Sequence, residues 1–322
     1  PSPEQLPLDR LFAGIDVVSL RGDWSGAASW VGFKGGDAGY NHNQLDLGSF
    51  VFEAEGERWA LDLGKDDYNL PGYFQSWPGG ARWAYYRNRA EGHNTLVIDP
   101  DACEDQDARA LATITRFQSS STDAFAIADL TNAYRGRSVR RGVWLKNRTT
   151  LVVQDEIAAD PTDAARGGAD VWWFMHTRAS IDVSSDGRSA LLTQDGQLIR
   201  ARVVAPVGAR FSVWEATPLP TSPHPELQGS NSGVRKLTLH LSLTEPTTIV
   251  VVLEPDETLD PVDPDPRSLG NWQLDDAITT VERQAAVTAP SPDVCHATAS
   301  PSPMATTIPD TVPVLGKPRF TG

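Results

Sequence analysis

Short apolar runs rich in Val, Ile, Leu, Trp and Phe recur every 8 to 14 residues along the chain, parted by clusters of Gly, Asp, Asn and Pro. Runs of this length, bounded by turn formers, predict strands rather than helices. The first set is Asp16–Leu20, Trp30–Lys34, Ser49–Glu55, Arg58–Leu63, Thr95–Ile98, Ala112–Phe117, Phe125–Asp129, Arg140–Leu145, Thr150–Asp155 and Asp170–Met175. Ser189–Thr193, Leu198–Val204, Arg210–Trp214, Lys236–Leu243 and Thr248–Leu253 follow. Alternation is clearest from Lys236 to Leu241, which predicts a strand with Leu237, Leu239 and Leu241 inward and the polar side in solvent. Helical periodicity is confined to Leu6–Phe12 and Asn271–Val281. The expected class is therefore all-β, a large antiparallel β-sandwich of two or more stacked sheets. No fixed-period repeat argues for a propeller or solenoid.

After Glu254 the composition shifts to Pro, Asp, Thr, Ser and Ala, and from Pro290 onward no strand pattern remains. This places the sandwich at residues 1–260 and a Pro/Ser/Thr-rich, largely irregular extension at 261–322. With 40% hydrophobic residues in 322, the chain can bury one large core. Lys plus Arg number 28 against 42 Asp plus Glu, a formal charge of −14 that repels nucleic acid and anionic membranes, so neither is an expected partner. An acidic protein that binds an anionic ligand must cluster its few cations, and Arg82, Arg87 and Arg89 are the candidates. The longest apolar runs have strand length, short of a membrane span. The N-terminus lacks a signal-peptide pattern, and an upstream part is expected. Cys103 and Cys295 have no metal-ligand spacing and leave both disulfide and compartment open.

Polar, aromatic and imidazole groups concentrate between Gly35 and Asp99. His42 lies in the loop Tyr40-Asn41-His42-Asn43-Gln44 before a strand, and Asp62 ends the next strand ahead of Gly64. A hairpin over Ser49–Leu63 would return Asp62 to the neighbourhood of the His42 loop. His93 precedes another strand and enters the same rim. Each residue also has an ordinary reading: histidines cap turns, Asp62-Leu63-Gly64 is a common turn, and Tyr73, Tyr85 and Tyr86 fit packing.

The ordered pattern His42-x-x-Leu-Asp-x-Gly-Ser-Phe50, then Leu61-Asp62-x-Gly64, then Tyr73, then His93-Asn94-Thr95 resembles the C-terminal domain of heparinase II/III-like lyases. The resemblance spans about Asp16 to Met175. It implies a secreted or periplasmic enzyme in which an N-terminal α/α toroid and this sandwich enclose a cleft where an acidic polysaccharide is cut by β-elimination. That reaction removes the proton alpha to a uronate carboxylate, so it needs a base and a group that neutralises the carboxylate. The resemblance assigns catalysis to His42 and Tyr73 and zinc ligation to Asp62 and His93; Asn41, Arg82 and Arg87 are the expected substrate-binding residues. Gln44 stands where a third ligand, a histidine, is expected. Glutamine is a poor zinc ligand, so weakened or absent zinc is expected, with Gln44 bonded to Asp62 or His93 instead. The alternative is a non-catalytic carbohydrate-binding or structural sandwich that keeps the lyase scaffold.

Overall fold

The computed structural model describes residues 5–255 and 267–289. Every expected strand is present, and all pair antiparallel in three sheets. The first sheet orders Arg10–Phe12, Val17–Arg21, Trp30–Lys34, Phe50–Ala54 and Glu57–Ala60 as a meander. The large second sheet runs through Ser180–Val183, Ser189–Gln194, Gln197–Ala205, Thr247–Glu254, Thr150–Ile157, Val139–Lys146, Ala124–Asp129, Leu111–Ser119 and Thr279–Glu282, with Gly36–Asp37 also paired to Leu111–Ser119. The third orders Phe211–Glu215, Arg235–Leu243, Ala169–Thr177 and Leu96–Ile98.

Alternating side chains from all three sheets meet in one apolar cluster, including Phe33 and Phe52, Val143 and Val153, and Trp173 and Leu239. The sheets are thus the layers of a sandwich with a shared core. The first and third sheets are tied where the Leu61 N–H donates to the His176 carbonyl at 2.9 Å. That junction brings the chain after the Glu57–Ala60 strand beside the end of Ala169–Thr177.

Three expectations change. Leu6–Phe12 ends in a strand, not a helical turn. The polar side of Arg235–Leu243 meets solvent only at His240 and Ser242, because Lys236 and Thr238 are fully buried. The Lys236 ammonium donates to the Thr217 carbonyl at 2.9 Å and lies 4.5 Å from the Phe174 ring centroid, so an earlier segment covers that end of the face. Burial lowers the Lys236 pKa to about 8 against the pull of Glu91 and Asp105.

The packed chain also does not end at residue 260. Leu269, Trp272 and Leu274 form an outer cluster with Phe125 and Ile127, and Thr279–Glu282 adds a strand to the large sheet. Asn271–Val281 accordingly holds the end of a 3-10 turn and the start of a strand. Gly142 makes the seat for this segment: a Cβ there would lie 2.5 Å from Leu269 and 2.6 Å from Trp272. Residues 290–322, with Cys295, lie outside the described residues.

Candidate functional site

His42 projects from a loop whose backbone is unusual, with φ of 66°. A side chain tolerates the left-handed region only when its surroundings fix it there. Arg82 supplies the fixing. Its guanidinium, 2% exposed, donates to the carbonyls of Asn43 at 2.8 Å, His42 at 3.2 Å and Tyr73 at 2.9 Å. It also lies over the Tyr73 ring, 4.6 Å from the centroid. Arg82 is therefore a clamp beneath the loop, which corrects its expected contact with substrate.

The His42 imidazole is exposed, 5.6 Å from the Tyr68 ring centroid and 5.8 Å from that of Phe74. Tyr68 is 41% exposed, and the Lys65 ammonium sits 4.8 Å from its centroid. Asn41 is exposed beside His42. An open imidazole, phenol and ammonium therefore share one rim. Tyr73 is not part of it: the side chain is 1% exposed, and its hydroxyl accepts the Asp66 N–H at 3.2 Å. The exposed phenol next to His42 is instead that of Tyr68, five residues earlier. Sequence spacing missed the exchange because the turn between them faces one ring outward and the other into a cluster with Leu70 and Tyr85.

Asp62 and His93 do converge, as two residues expected at one rim. His93 Nδ1 lies 2.8 Å from Asp62 Oδ2, and the other Asp62 oxygen accepts the Gly64 N–H at 2.7 Å. Desolvation opposes ionisation of Asp62, yet the charge and hydrogen bond of His93, with the Gly64 N–H, hold the carboxyl well below the usual range. Burial disfavours the His93 imidazolium, but Asp62 outweighs it and raises the pKa. Neighbouring His176 goes the other way: burial, then Lys236 and His93, keep it neutral.

Gln44 does not bond to either partner. Its amide nitrogen donates to the Gly64 carbonyl at 3.2 Å and to Asn88 Oδ1 at 3.3 Å. Among the described residues no three His, Cys, Asp or Glu side chains gather as a metal cluster. His93 Nε2, buried without a partner, is one free donor where a structural zinc needs four. These donors do not fit a resident zinc: an ion pair holds Asp62 to His93 directly.

Below lies a floor that sequence reasoning did not find. Asn94 Nδ2 donates to the carbonyls of Phe50 at 2.7 Å and Leu61 at 2.9 Å, while its oxygen accepts the His176 N–H at 2.6 Å. Arg141, fully buried, donates to the carbonyls of Gly48 and Asn94, both at 2.8 Å, and pairs with Asp155 at 2.6 and 2.9 Å. The His-Asn-Thr and Gly-Ser-Phe stretches are thus sewn together from the large sheet. An inward charge in the strand Val139–Lys146 is the signal that could have marked Arg141; its partner needed the register that sets Arg141 opposite Asp155. Arg89, likewise, is buried against Asp105 and unavailable to ligand. Arg87 donates to Asn231 Oδ1 and to the carbonyls of Lys65 and Ser230.

The fold superposes on a heparinase III gene product with a TM-score of 0.61 at 18% identity, covering 78% of this chain and 37% of that one. Against heparan sulfate lyase HepC from Pedobacter heparinus the TM-score is 0.60 at 13% identity, covering 77% and 36%. At such identities the likeness speaks for the fold, and this chain spans little more than a third of either structure. No curated protein matches the chain. Residues 12–250 match the family described as heparinase II/III-like, C-terminal. With that match across most of its length and the three-sheet sandwich beneath its motifs, the chain belongs to the heparinase II/III-like family as its C-terminal domain.

Proposed function

We propose that this chain is the β-sandwich portion of a polysaccharide lyase that cleaves a uronate-containing polysaccharide by β-elimination, an N-terminal α/α toroid forming the opposite wall of the cleft. The observation that carries the reading is the exposed His42 imidazole, held at a strained backbone position by buried Arg82 and flanked by Tyr68 and Lys65. Backbone strain kept in place by a dedicated clamp is a mark of functional sites. An imidazole can exchange the proton alpha to the carboxylate, and an ammonium beside it can neutralise the carboxylate as charge develops. The names of the two similar structures, a heparinase and a heparan sulfate lyase, agree with an acidic glycan as substrate. A polymer of that kind is met outside the cytoplasm, which supports a secreted or periplasmic site of action. No helix among the described residues is long and apolar enough to cross a membrane.

The test uses the protein joined to its toroid and a panel of uronate polysaccharides, with unsaturated product followed by ultraviolet absorbance. His42→Ala is expected to lower turnover on the order of 10²–10⁴-fold, with stability changed by less than about 0.5 kcal/mol, as for other exposed positions. Wild-type turnover retained in that variant would refute the assignment. The second reading, a carbohydrate-binding sandwich without catalysis, is favoured by the burial of Tyr73 and the exposure of the rim aromatics Tyr40, Tyr68, Phe74 and Trp77. It requires binding without product from the joined protein.

A further inference from the structure

Lys65 and Tyr68, the cation and phenol beside His42, ride on a segment with little packing of its own. From Asp62 to Asn69 only Asp66 is buried. A neutral bond from the Asp66 N–H to the Tyr73 hydroxyl, at 3.2 Å, is the weaker hold on this stretch. The charge-assisted holds, which are roughly twice as strong, lead elsewhere. The Asp66 carboxylate accepts the Gly229 N–H at 3.0 Å on one oxygen and 2.9 Å on the other. The Lys65 carbonyl accepts Arg87 Nη1 at 3.0 Å, and the same guanidinium donates to the Ser230 carbonyl at 3.0 Å and to Asn231 Oδ1 at 2.8 Å. Arg87 thus bridges the rim segment to residues 230–231, and Asp66 ties it to the residue before them.

Gly229, Ser230 and Asn231 belong to the connection 216–234 between the strands Phe211–Glu215 and Arg235–Leu243. Its ends are anchored: Ser222 Oγ donates to buried Glu91 at 2.9 Å, and Val234 packs with Leu61 and Tyr86. Between those anchors none of residues 223–233 is buried. Ser230, Asn231 and Ser232 wall one cavity of about 270 Å³ beside Asp62 and another of about 340 Å³ beside Tyr86. A strap with space on both sides and no buried side chain is held by hydrogen bonds, and such an element opens locally at far less than the cost of unfolding the domain. Its bonds reach Asp66, Arg87 and the Tyr86 N–H, which donates to Gln228 Oε1 at 3.0 Å. The strap and the rim segment therefore hold one another.

We infer that Arg87 and Asp66 are positioning residues that couple the strap 223–233 to the rim. With the strap seated, Lys65 and Tyr68 are held beside His42; with the strap lifted, both are released. Arg87 acts by bridging neutral oxygens of two segments and not by meeting a ligand. The catalytic consequence rests on the lyase reading above, whereas the coupling itself rests on these bonds.

Gly229→Ala is the sharpest perturbation. A Cβ there would lie 2.8 Å from Asp66 Oδ1 and 3.3 Å from Arg87 Cζ, so the strap must shift while every side chain of the rim segment is kept. Asn231→Ala, which removes one acceptor from Arg87 and one donor from the Ala216 carbonyl, is the milder second variant. Hydrogen exchange of the full 322-residue chain, followed peptide by peptide, is expected to quicken about tenfold over both 228–233 and 65–69 in Gly229→Ala, less in Asn231→Ala, and to stay unchanged over Ala169–Thr177. Faster exchange of the strap alone, of neither segment or of the whole chain overturns the coupling.

Turnover of the toroid-joined protein tests the consequence. Gly229→Ala is expected to lower it about tenfold in the parent but less than about threefold in a Lys65→Met background, because contributions that act through one group do not add. An equal fall in both backgrounds marks general damage and overturns the positioning role. The two readings fail separately: no product from the parent protein removes the catalysis and leaves the coupling to be judged by exchange, and product with uncoupled exchange removes only the positioning role.

Discussion

The rim around His42 and the floor around His93 are built from the same stretch of chain and obey different physics. At the rim, rings and cations stand in water and only backbone carbonyls are tied down, through Arg82. On the floor, His93, Asn94, Arg141 and Asp155 are fully buried and bonded to one another or to backbone. An exposed group there can approach a ligand at little cost to the fold; a buried one cannot be altered without unfolding something. The two histidines, which the motif presents as equals, therefore divide into an exposed group that a ligand can reach and a buried group that holds the rim in place.

The comparison is broken most severely at Arg141. Replacing it with Ala leaves Asp155 charged and unpaired in the interior, where burial already raises its pKa against the pull of Arg141. The expected loss is about 3–5 kcal/mol, read as a fall in the urea midpoint. A loss below about 1 kcal/mol would mean the floor is wet and that the contrast with the rim is false.

Tyr73 and Tyr68 sharpen the boundary between the regions. Tyr73→Phe removes the acceptor of a buried N–H and is expected to cost about 1 kcal/mol while leaving turnover of the toroid-joined protein unchanged. Tyr68→Phe should leave stability within about 0.5 kcal/mol and lower turnover. The reverse pattern would restore Tyr73 to the site and dismiss Tyr68.

The Asp62–His93 pair sits between rim and floor, and pH separates its two halves. Because His93 has a raised folded pKa, its contribution is complete below its unfolded value of 6.5 and fades as pH rises through the higher folded value. Asp62 has a depressed folded pKa, so its contribution is present above 3.8 and is lost as pH falls through the lower folded value. Their joint stabilisation is therefore greatest between roughly pH 4 and 6.5. Melting temperatures of the wild type and Asp62→Asn, compared from acid to alkaline pH, should differ most inside that window. Because Asp62 is partly exposed, the difference should be the smallest of the three effects. A gap that grows steadily above pH 7 would contradict the ion pair.

Much was legible before any coordinates. Apolar runs and turn formers gave the strands nearly residue by residue, since a strand's period of two and its bounding glycines and aspartates are local properties. That Asp62 and His93 enter one rim was also accessible from their places at strand ends, although the hairpin argument itself reached only from Asp62 to the His42 loop. Gln44 illustrates the limit: its identity argued against a zinc ligand, but its partners, Gly64 and Asn88, depend on how the loop is laid down. The packing of residues 267–289 on the sandwich was missed for the same reason. Composition registers that a segment is poor in strand formers, but not that Gly142, far upstream, leaves a seat for Trp272.

Sequence by itself determined the class of fold and the spacing of strands. Tertiary structure alone decided which polar groups meet water. Lys236 lies under the loop that holds Thr217, Tyr73 is turned inward while Tyr68 is turned out, and Arg82 serves the backbone rather than a ligand. Alternation along a strand states that two faces exist; what covers the second face is set by segments that reach it across the sandwich, and no local pattern carries that information.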